Sequence, residues 1–295
     1  MVDTATAMSV ARRRSVQGAA RVWRFVRRDG LGALGVTIIV VMTLAAVLAP
    51  WLAPYDPTAM SSARLQGPNE VFPLGSDEAG RDLLSRALHG ARTSMLVSLS
   101  VITLAAVVGV TIGLLAGYYG KLVDSVFMRF MDMVFAFPTL LLALAVIAIL
   151  GTDTRNLVLA LVIVFVPTFA RVTRGAAMSL AREPYVEAAR AAGLRDRRIL
   201  LRYILPNAAA PIAVQFTIGL AAVILVEASL GYLGLGVQPP APSWGSMLSG
   251  GKAFMEMSMW PSIVPGVCIA LIVLGFNLLG DALRDSMDPR LRQRT

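Results

Sequence analysis

Few side chains in this sequence have the chemistry of a catalytic or metal-binding group, and they lie far apart. The chain has one histidine, His89, and one cysteine, Cys268. A site with two histidine ligands, a Cys/His zinc cluster and an intrachain disulfide are therefore excluded for this chain alone. No G-x-x-x-x-G-K-S/T loop is present, so the chain does not cradle ATP. Ordinary membrane-surface packing, rather than a soft-metal site, is the prediction for Met255, Met257 and Met259.

Two acidic residues, Asp132 and Glu227, lie in or beside stretches that are otherwise apolar. A charge inside a bilayer is costly, so such residues are functional-site hypotheses by default. For Asp132, an interfacial ion pair with Arg129 is the simpler interpretation. Glu227 would either meet a cationic group of a ligand or cap Ser229 and the glycine-rich turn after it; both interpretations stay open. We expect the two acids near opposite membrane faces, too far apart to share a proton, which disfavours a paired-acid hydrolase.

The elements that hold these residues are defined by stretches without charge. Hydrophobic residues make up 56% of the chain and charged residues 15%, against about 25% charged residues in an ordinary soluble domain. A bilayer core needs roughly 20 apolar residues as helix, because backbone polar groups in lipid must be satisfied within the segment. The sequence therefore predicts an all-α integral membrane protein with six transmembrane helices, at 31–52, 95–117, 130–150, 157–175, 211–232 and 260–280.

The fourth of these spans is the shortest. Its charge-free run would cover only about 22 Å as helix, so it crosses the bilayer only if Arg171 or Arg174 extends to the interface. A re-entrant helix is the alternative. In the second span, Gly113 and Gly117 form a G-x-x-x-G pair that predicts close packing against another helix. Pro138 is among several prolines expected to kink or start helices.

The basic residues define an orientation. With the N terminus inside, 21 of the 27 Lys and Arg residues fall in inner segments, which places both termini in the cytoplasm. This explains the net charge of +9 without a nucleic-acid partner. The predicted organisation is a basic tail (1–30), a first span that is an uncleaved signal anchor (31–52), an external loop with an interfacial helix over 77–88 (53–92), a core of five spans (93–283) and a cytoplasmic tail (284–295).

The longest internal connection, 171–207, predicts two short helices separated by a glycine turn. The first helix contains a run of good helix formers, Glu187, Ala188 and Ala189. Gly193 is well placed as its C-cap. Asp196 would cap the second helix, over 197–205, which Pro206 ends. The segment has too many apolar and small side chains for a solvated basic loop, so we expect it to dock against a partner.

Three stretches of sequence resemble a known family. The run from Glu187 to Ala189, followed by Gly193 and by Leu205-Pro206, resembles the EAA loop of ABC-importer permeases, although Tyr203 stands where the family usually has Ile. The other two stretches are Pro73 to Arg92 and Glu227 to Gly245. Together the three resemble the second permease subunit of dipeptide, oligopeptide and nickel ABC importers, with the type I (MetI-like) permease fold.

That resemblance implies a division of labour among several proteins. The chain would be one of a pair of permeases, above two cytoplasmic ATPases that carry ATP and magnesium, with a binding protein outside. The EAA segment would couple to an ATPase. Glu227 and Asp132 are the candidates for the substrate path, on the separate ground that they are ionisable groups in or beside apolar spans. The expected substrate is a peptide, with glutathione or nickel complexes as alternatives, and the expected location is a bacterial or archaeal plasma membrane. A membrane-embedded enzyme and a purely structural anchor are the competing functions.

Overall fold

The computed structural model describes residues 30–287, and these residues form helices without a β-sheet. The helical architecture predicted from the sequence is confirmed. In chain order the helices are α1 (Gly30–Val47), α2 (Ala49–Leu52), α3 (Leu83–Tyr119), α4 (Lys121–Phe135), α5 (Thr139–Leu150), α6 (Thr154–Leu180), α7 (Pro184–Ala191), α8 (Asp196–Ile199), α9 (Leu205–Tyr232), α10 (Trp244–Lys252) and α11 (Trp260–Met287). Five of them are long and apolar enough to cross a membrane, and a bent pair gives up to six.

The centre of the fold is the crossing of α3 and α6. A Cβ atom added to Gly113 would lie 2.5 Å from the Ala170 carbonyl oxygen, and one added to Gly117 would lie 2.6 Å from that of Arg174. The close packing predicted for this glycine pair is therefore confirmed. It extends one turn further than predicted, because a Cβ at Gly109 would lie 2.6 Å from Phe169. Three glycines spaced four residues apart let the two backbones touch along about two helical turns.

The third span differs from the continuous helix predicted over 130–150. Two helices occupy this region, α4 and α5, and they meet at an angle of 92°. Pro138 lies at the break in an extended conformation, with φ −56° and ψ 132°. Proline lacks an amide hydrogen and its ring blocks the preceding turn, so the helix stops before it and resumes in a new direction. The kink expected at Pro138 is thus a full change of direction.

The helix α3 begins later than predicted and has no separate interfacial part. Of the helix expected over 77–88, residues 83–88 are helical as the first part of α3, whereas 77–82 form a turn, in which the Asp77 carboxylate accepts hydrogen bonds from the amides of Ala79 and Arg81, both at 2.9 Å. Asp82 then caps the helix by accepting from the Ser85 amide at 2.7 Å. The 37 residues of α3 span about 55 Å, more than a bilayer core, so the helix projects beyond it.

The fourth span, α6, is a full-length helix of 27 residues. The two arginines expected to extend to the interface, Arg171 and Arg174, both form ion pairs with α4. Arg174 forms a two-pronged ion pair with Asp124 of α4, with one of its bonds, Nη2 to Oδ2, at 2.6 Å. Arg171 pairs with Asp132, also of α4, at 2.8 Å. These two pairs link α6 to α4, which has no buried residue.

The prediction that the helix over 197–205 ends at Pro206 is wrong. α8 passes into α9 through a π-helical turn, Leu200–Ile204, so that one helix runs from Asp196 to Tyr232. The Leu205 amide bonds to the Leu200 carbonyl, five residues back. Pro206 lies in the first turn of α9, where its missing amide hydrogen is tolerated. The predicted tails, 1–30 and 284–295, lie outside the described residues except for Gly30 and 284–287, which are helical.

Candidate coupling site

The predicted docking segment folds as two short helices around Gly193. Pro184 starts α7 in its first turn. The helix ends in a Schellman motif, in which the Gly193 amide bonds to Arg190 at 2.9 Å and the Leu194 amide bonds to Ala189 at 3.1 Å. Gly193 has φ +73°, a conformation that favours glycine because it has no Cβ atom. The C-cap predicted at Gly193 is therefore confirmed.

One face of this segment is buried against the end of the helical bundle at Tyr119. Val186 and Ile199 are fully buried, and Ala189 is 6% exposed. They form a separate apolar cluster with residues from α3, α6 and the π-helical turn: Leu114, Ala177, Ala181, Leu200 and Ile204. α7 and α8 are therefore fixed to the ends of two spanning helices through side-chain packing as well as through the chain.

Tyr118 of α3, which the sequence analysis did not identify, forms a second, polar attachment between the segment and the helical bundle. Its hydroxyl donates to the Asp196 carboxylate at 2.7 Å and accepts from Arg190 Nε at 3.3 Å. The Arg190 guanidinium also lies 4.6 Å from the centre of the Tyr118 ring, within range of a cation–π contact. The only sequence signal was an aromatic residue at the end of a span, which is too common to identify the contact.

The opposite face of the segment is exposed. Glu187, Ala188 and Gly193 are all exposed, while Ala189 between them faces the bundle. Glu187 makes no ion pair with a described residue. Arg190 on the same helix contacts Tyr118, and Arg171 pairs with Asp132. The other two motif residues, Leu205 and Pro206, lie in the first turn of α9. The motif thus presents a small, open surface on a fixed base.

The conformation at Gly193 leads to a testable prediction. A Cβ atom there would meet nothing within 4 Å, so a substitution is penalised only by its backbone angles. We expect Gly193→Val to destabilise the turn by about 1–2 kcal/mol, and Gly193→Asn to cost much less, because asparagine tolerates a left-handed conformation. Thermal unfolding of the two purified variants measures the difference. Equal unfolding temperatures would contradict the assignment of strain to this residue.

Asp132 does not pair with Arg129 as the sequence suggested. Its carboxylate accepts from Arg171 Nη2 at 2.8 Å, and the Arg171 guanidinium lies 4.3 Å from the centre of the Phe135 ring. Both charged side chains remain more than half exposed, at 65% for Asp132 and 55% for Arg171. An exposed pair of this kind contributes little to stability. It leaves charged groups on the surface of α4 and α6.

Glu227 is completely buried in the far part of α9. Neither of its carboxylate oxygens has a hydrogen-bond partner within the described residues, although Ser94 of α3 lies alongside. The cap on Ser229 is not formed, because the Ser229 hydroxyl donates to Leu225 at 2.7 Å. Ser94 and Gly117 are separated by about 35 Å along α3, so Glu227 and the Asp132 pair lie in different parts of the bundle.

Two family profiles match the sequence. The family described as "Binding-protein-dependent transport system inner membrane component" matches residues 109–293, which is more than half of the chain. The "N-terminal TM domain of oligopeptide transport permease C" matches residues 19–68. The two matches cover the coupling segment and the spanning helices except for most of α3, which lies in the gap between them, and they agree with the family suggested by the sequence motifs.

Curated relatives match along most of the chain. The dipeptide transport system permease protein DppC of Alkalihalophilus pseudofirmus is 44% identical over 269 residues, covering 90% of this chain and 88% of that protein. The glutathione transport system permease protein GsiD of Pectobacterium atrosepticum is 41% identical over 289 residues, covering 97% and 96%.

Among solved structures, a chain of the inward-facing MetNI methionine ABC transporter superposes with a TM-score of 0.54 at 19% identity, covering 68% of this chain and 96% of that one. This likeness concerns the fold, which is of the MetI type. The chain belongs to the family of inner membrane components of binding-protein-dependent transport systems, and is a transporter permease subunit rather than an enzyme.

Proposed function

We propose that this chain forms half of a translocation pathway for peptides in an ATP-driven importer, and that α7 and α8 couple it to an ATPase subunit. The observation that carries the coupling proposal is the two-faced segment around Gly193. One face is locked to α3 and α6, and the other exposes Glu187 and Ala188 without a partner. An exposed surface on a rigid base suits a contact that transmits movement, because a soft base would absorb the displacement.

The continuous helix from Asp196 to Tyr232 supports the route that such a movement takes. A displacement of α8 passes directly into α9, because no loop separates them. α9 carries Glu227 near its far end, where Gly231 packs against Gly245 of α10 with almost no space. Alternating access needs two packings of similar free energy, and the ATPases would drive the exchange between them.

The proposal includes partners beyond this chain. They are a second permease, two ATPase subunits that bind ATP and magnesium, and an extracytoplasmic binding protein that delivers the substrate. The excess of Lys and Arg in alternate segments supports cytoplasmic termini and a plasma-membrane location. A peptide substrate is supported by the names of the relatives, and glutathione is the second candidate because of the relative that matches 97% of the chain.

Replacing either of two exposed alanines by tryptophan tests the coupling surface. Ala188 is exposed on α7, and Ala59 is exposed in the segment before α3. We expect Ala188→Trp to fold normally but to lose at least about 90% of the co-purified ATPase and of ATP-dependent dipeptide uptake, because an indole ring would separate two closely packed surfaces. We expect Ala59→Trp to retain the ATPase. The measurements are subunit stoichiometry of the purified importer and uptake into proteoliposomes.

The outcomes separate coupling from substrate. Retention of the ATPase by Ala188→Trp, with uptake intact, would contradict the coupling proposal. Substrate identity is tested independently with the unmodified importer, by measuring uptake of labelled dipeptide and of labelled glutathione in separate assays. Uptake of glutathione alone would overturn the peptide assignment and leave the coupling assignment unaffected.

A further inference from the structure

Four arginines surround an open cavity at the start of the helix that becomes α9. The cavity has a volume of about 410 Å³. It is lined by four arginines and one leucine: Arg195, Arg197, Arg198, Arg202 and Leu201. Two of them, Arg197 and Arg198, lie on α8, and all four lie between Gly193 and Leu205; the exposed residues on which the coupling proposal rests, Glu187 and Ala188, are on α7. We call this group the arginine pocket.

The positive charge of the arginine pocket is not neutralised within the described protein. None of its four arginines forms an ion pair with a carboxylate in residues 30–287. Asp196, the acidic residue among them in sequence, directs its carboxylate to the Tyr118 hydroxyl. Four guanidinium groups around one cavity repel each other, so they favour an anion that occupies the space between them.

The arginine pocket is built on a fixed backbone. Ile199 and Ile204 are fully buried and Leu200 is 8% exposed, so the helical segment that carries the arginines is anchored in the apolar cluster at this end of the bundle. A π-helical turn, Leu200–Ile204, occurs within the pocket. Such turns are rare and are frequent at functional sites. The arginines are therefore held in place rather than carried on a mobile tail.

The position of the pocket identifies the kind of anion. Arg202 directly precedes the charge-free run 203–226 of the same continuous helix, which is long enough to cross a hydrocarbon core. We therefore expect its guanidinium group at the depth of lipid headgroups, with Arg197 and Arg198 one to two helical turns further out. Guanidinium groups bind phosphate oxygens in pairs. Leu201 is 49% exposed within the pocket, which adds an apolar contact suited to an acyl chain. A charged headgroup joined to a hydrocarbon chain matches both features, whereas a soluble phosphate matches only the first.

We propose that the arginine pocket binds the phosphate headgroup of an anionic phospholipid in the membrane leaflet that faces α7 and α8. The bound lipid would neutralise the arginines next to the coupling segment and stabilise the π-helical turn that leads into α9. Basic clusters next to a spanning helix attract anionic lipids with about 1 kcal/mol per residue. This inference does not depend on the identity of the transported substrate.

Lipid retention by the full-length chain tests the proposal. The chain is purified in micelles that contain phosphatidylglycerol and phosphatidylcholine in equal amounts, and bound lipids are counted by native mass spectrometry. We expect the wild-type chain to retain phosphatidylglycerol selectively. A variant that combines Arg195→Gln, Arg198→Gln and Arg202→Gln is expected to bind it on the order of a hundredfold more weakly. The single substitution Leu201→Gln in the wild-type chain is expected to weaken lipid binding severalfold.

A control variant removes the same number of charges at the same end of the protein. It combines Arg129→Gln, Arg182→Gln and Arg284→Gln, three exposed residues outside the pocket. We expect it to bind phosphatidylglycerol within about threefold of the wild-type chain. Equal losses in both variants would show diffuse attraction and overturn the site. If the triple pocket variant does not fold, the corresponding triple Arg→Lys variant is measured instead, because it keeps the charge. If that variant bound phosphatidylglycerol as tightly as the wild-type chain, recognition by guanidinium groups would be overturned.

Two further outcomes would assign the pocket to another ligand. If inorganic phosphate at millimolar concentration displaced the lipid completely, a soluble anion would replace the lipid as the ligand. If the pocket variant kept its lipid but lost the ATPase from the purified importer, the pocket would be a surface for an acidic protein partner. Either result would overturn the proposal. Equal retention of the two lipids by the wild-type chain would do so as well.

Discussion

A Gly113→Leu variant of this permease is expected to lose its folded state. The Cβ atom alone would lie 2.5 Å from the Ala170 carbonyl oxygen and 2.7 Å from the Thr173 Cβ atom. The first contact is with backbone, so α3 and α6 must separate by roughly 1 Å before the rest of the side chain is accommodated. Overpacking of this kind costs about 1–3 kcal/mol for modest insertions, and more where two helix backbones must part. We expect no monodisperse protein after solubilisation.

Gly175→Ala is the matched control for this prediction. Gly175 lies on α6, the same helix that Gly113 contacts, but a Cβ there would meet nothing within 4 Å. Alanine is favoured over glycine in a helix by about 1 kcal/mol, so this variant is expected to be at least as stable as the wild type. Size-exclusion profiles and thermal unfolding of both variants measure the contrast. A well-folded Gly113→Leu protein would show that the α3–α6 crossing is much looser than the structure describes.

The α3–α6 crossing could be predicted from the sequence because it depends on the spacing of glycines along one helix. The shape of the third span could not, because it depends on the direction in which the chain runs. Glycines four residues apart must fall on one face of a helix, so Gly113 and Gly117 could be assigned directly. The apolar run over 130–150 has the length of a span but contains no information on its path. Pro138 indicated a kink, yet the 92° angle depends on how α4 lies across α6, where Asp124 and Asp132 pair with arginines far away in sequence.

Those ion pairs were missed because sequence reasoning favours neighbours. Asp132 was assigned to Arg129, three residues away, but it pairs with Arg171, which is 39 residues away. Asp124 was not considered, and its pair with Arg174 likewise depends on how α4 crosses α6. A long-range pair replaces a local one when the fold brings a better placed partner, and no periodicity in the sequence reports it. The same reasoning applies to Tyr118 and Asp196, which are 78 residues apart.

The two errors at helix ends have a common physical cause. The apolar spacing of Leu83, Leu84 and Leu88 is helical, and the structure confirms a helix there. Its start was placed too early because the carboxylate of Asp77 bonds to the amides that follow it, and this turn competes with helix. Pro206 was expected to end a helix, but a preceding π-helical turn shifts the hydrogen bonds and accommodates it. Capping side chains and rare turns therefore decide the ends.

The local structure of the coupling motif was predicted better than the surroundings of Glu227. Glu187, Ala188 and Gly193 were identified from a motif, and all three are exposed in the structure; their contact with an ATPase stays a prediction. For Glu227, the sequence offered a ligand or a cap, while the structure shows a buried carboxylate without a described hydrogen-bond partner. A buried acid in this state needs a partner or a proton. Its role as a substrate-path residue stays a prediction, because only a second permease would complete the pathway.

A Trp244→Ala variant is expected to detach α10 from α3. Trp244 is completely buried, and its indole nitrogen donates to the Ala87 carbonyl at 3.2 Å while its backbone amide donates to the Ser94 hydroxyl at 3.2 Å. Truncating a buried tryptophan to alanine costs about 3–5 kcal/mol, because it removes contacts and leaves a cavity. For a protein of this size that corresponds to a decrease of about 10 °C in apparent unfolding temperature.

Trp51→Ala provides the control for the loss of an indole ring, because Trp51 is 77% exposed. We expect its unfolding temperature to stay within about 2 °C of the wild type. Trp244→Phe keeps most of the buried area but loses the N–H donor, so an intermediate decrease, equivalent to about 1 kcal/mol, is expected. Thermal unfolding, with limited proteolysis of residues 253–259, measures all three. Equal stability of Trp244→Ala and Trp51→Ala would contradict the role of Trp244. The expected order of unfolding temperatures, Trp51→Ala above Trp244→Phe above Trp244→Ala, requires that the Trp244 side chain holds α10 in place. A movement of α9 at Gly231 would then reach a packed helix and not a free loop.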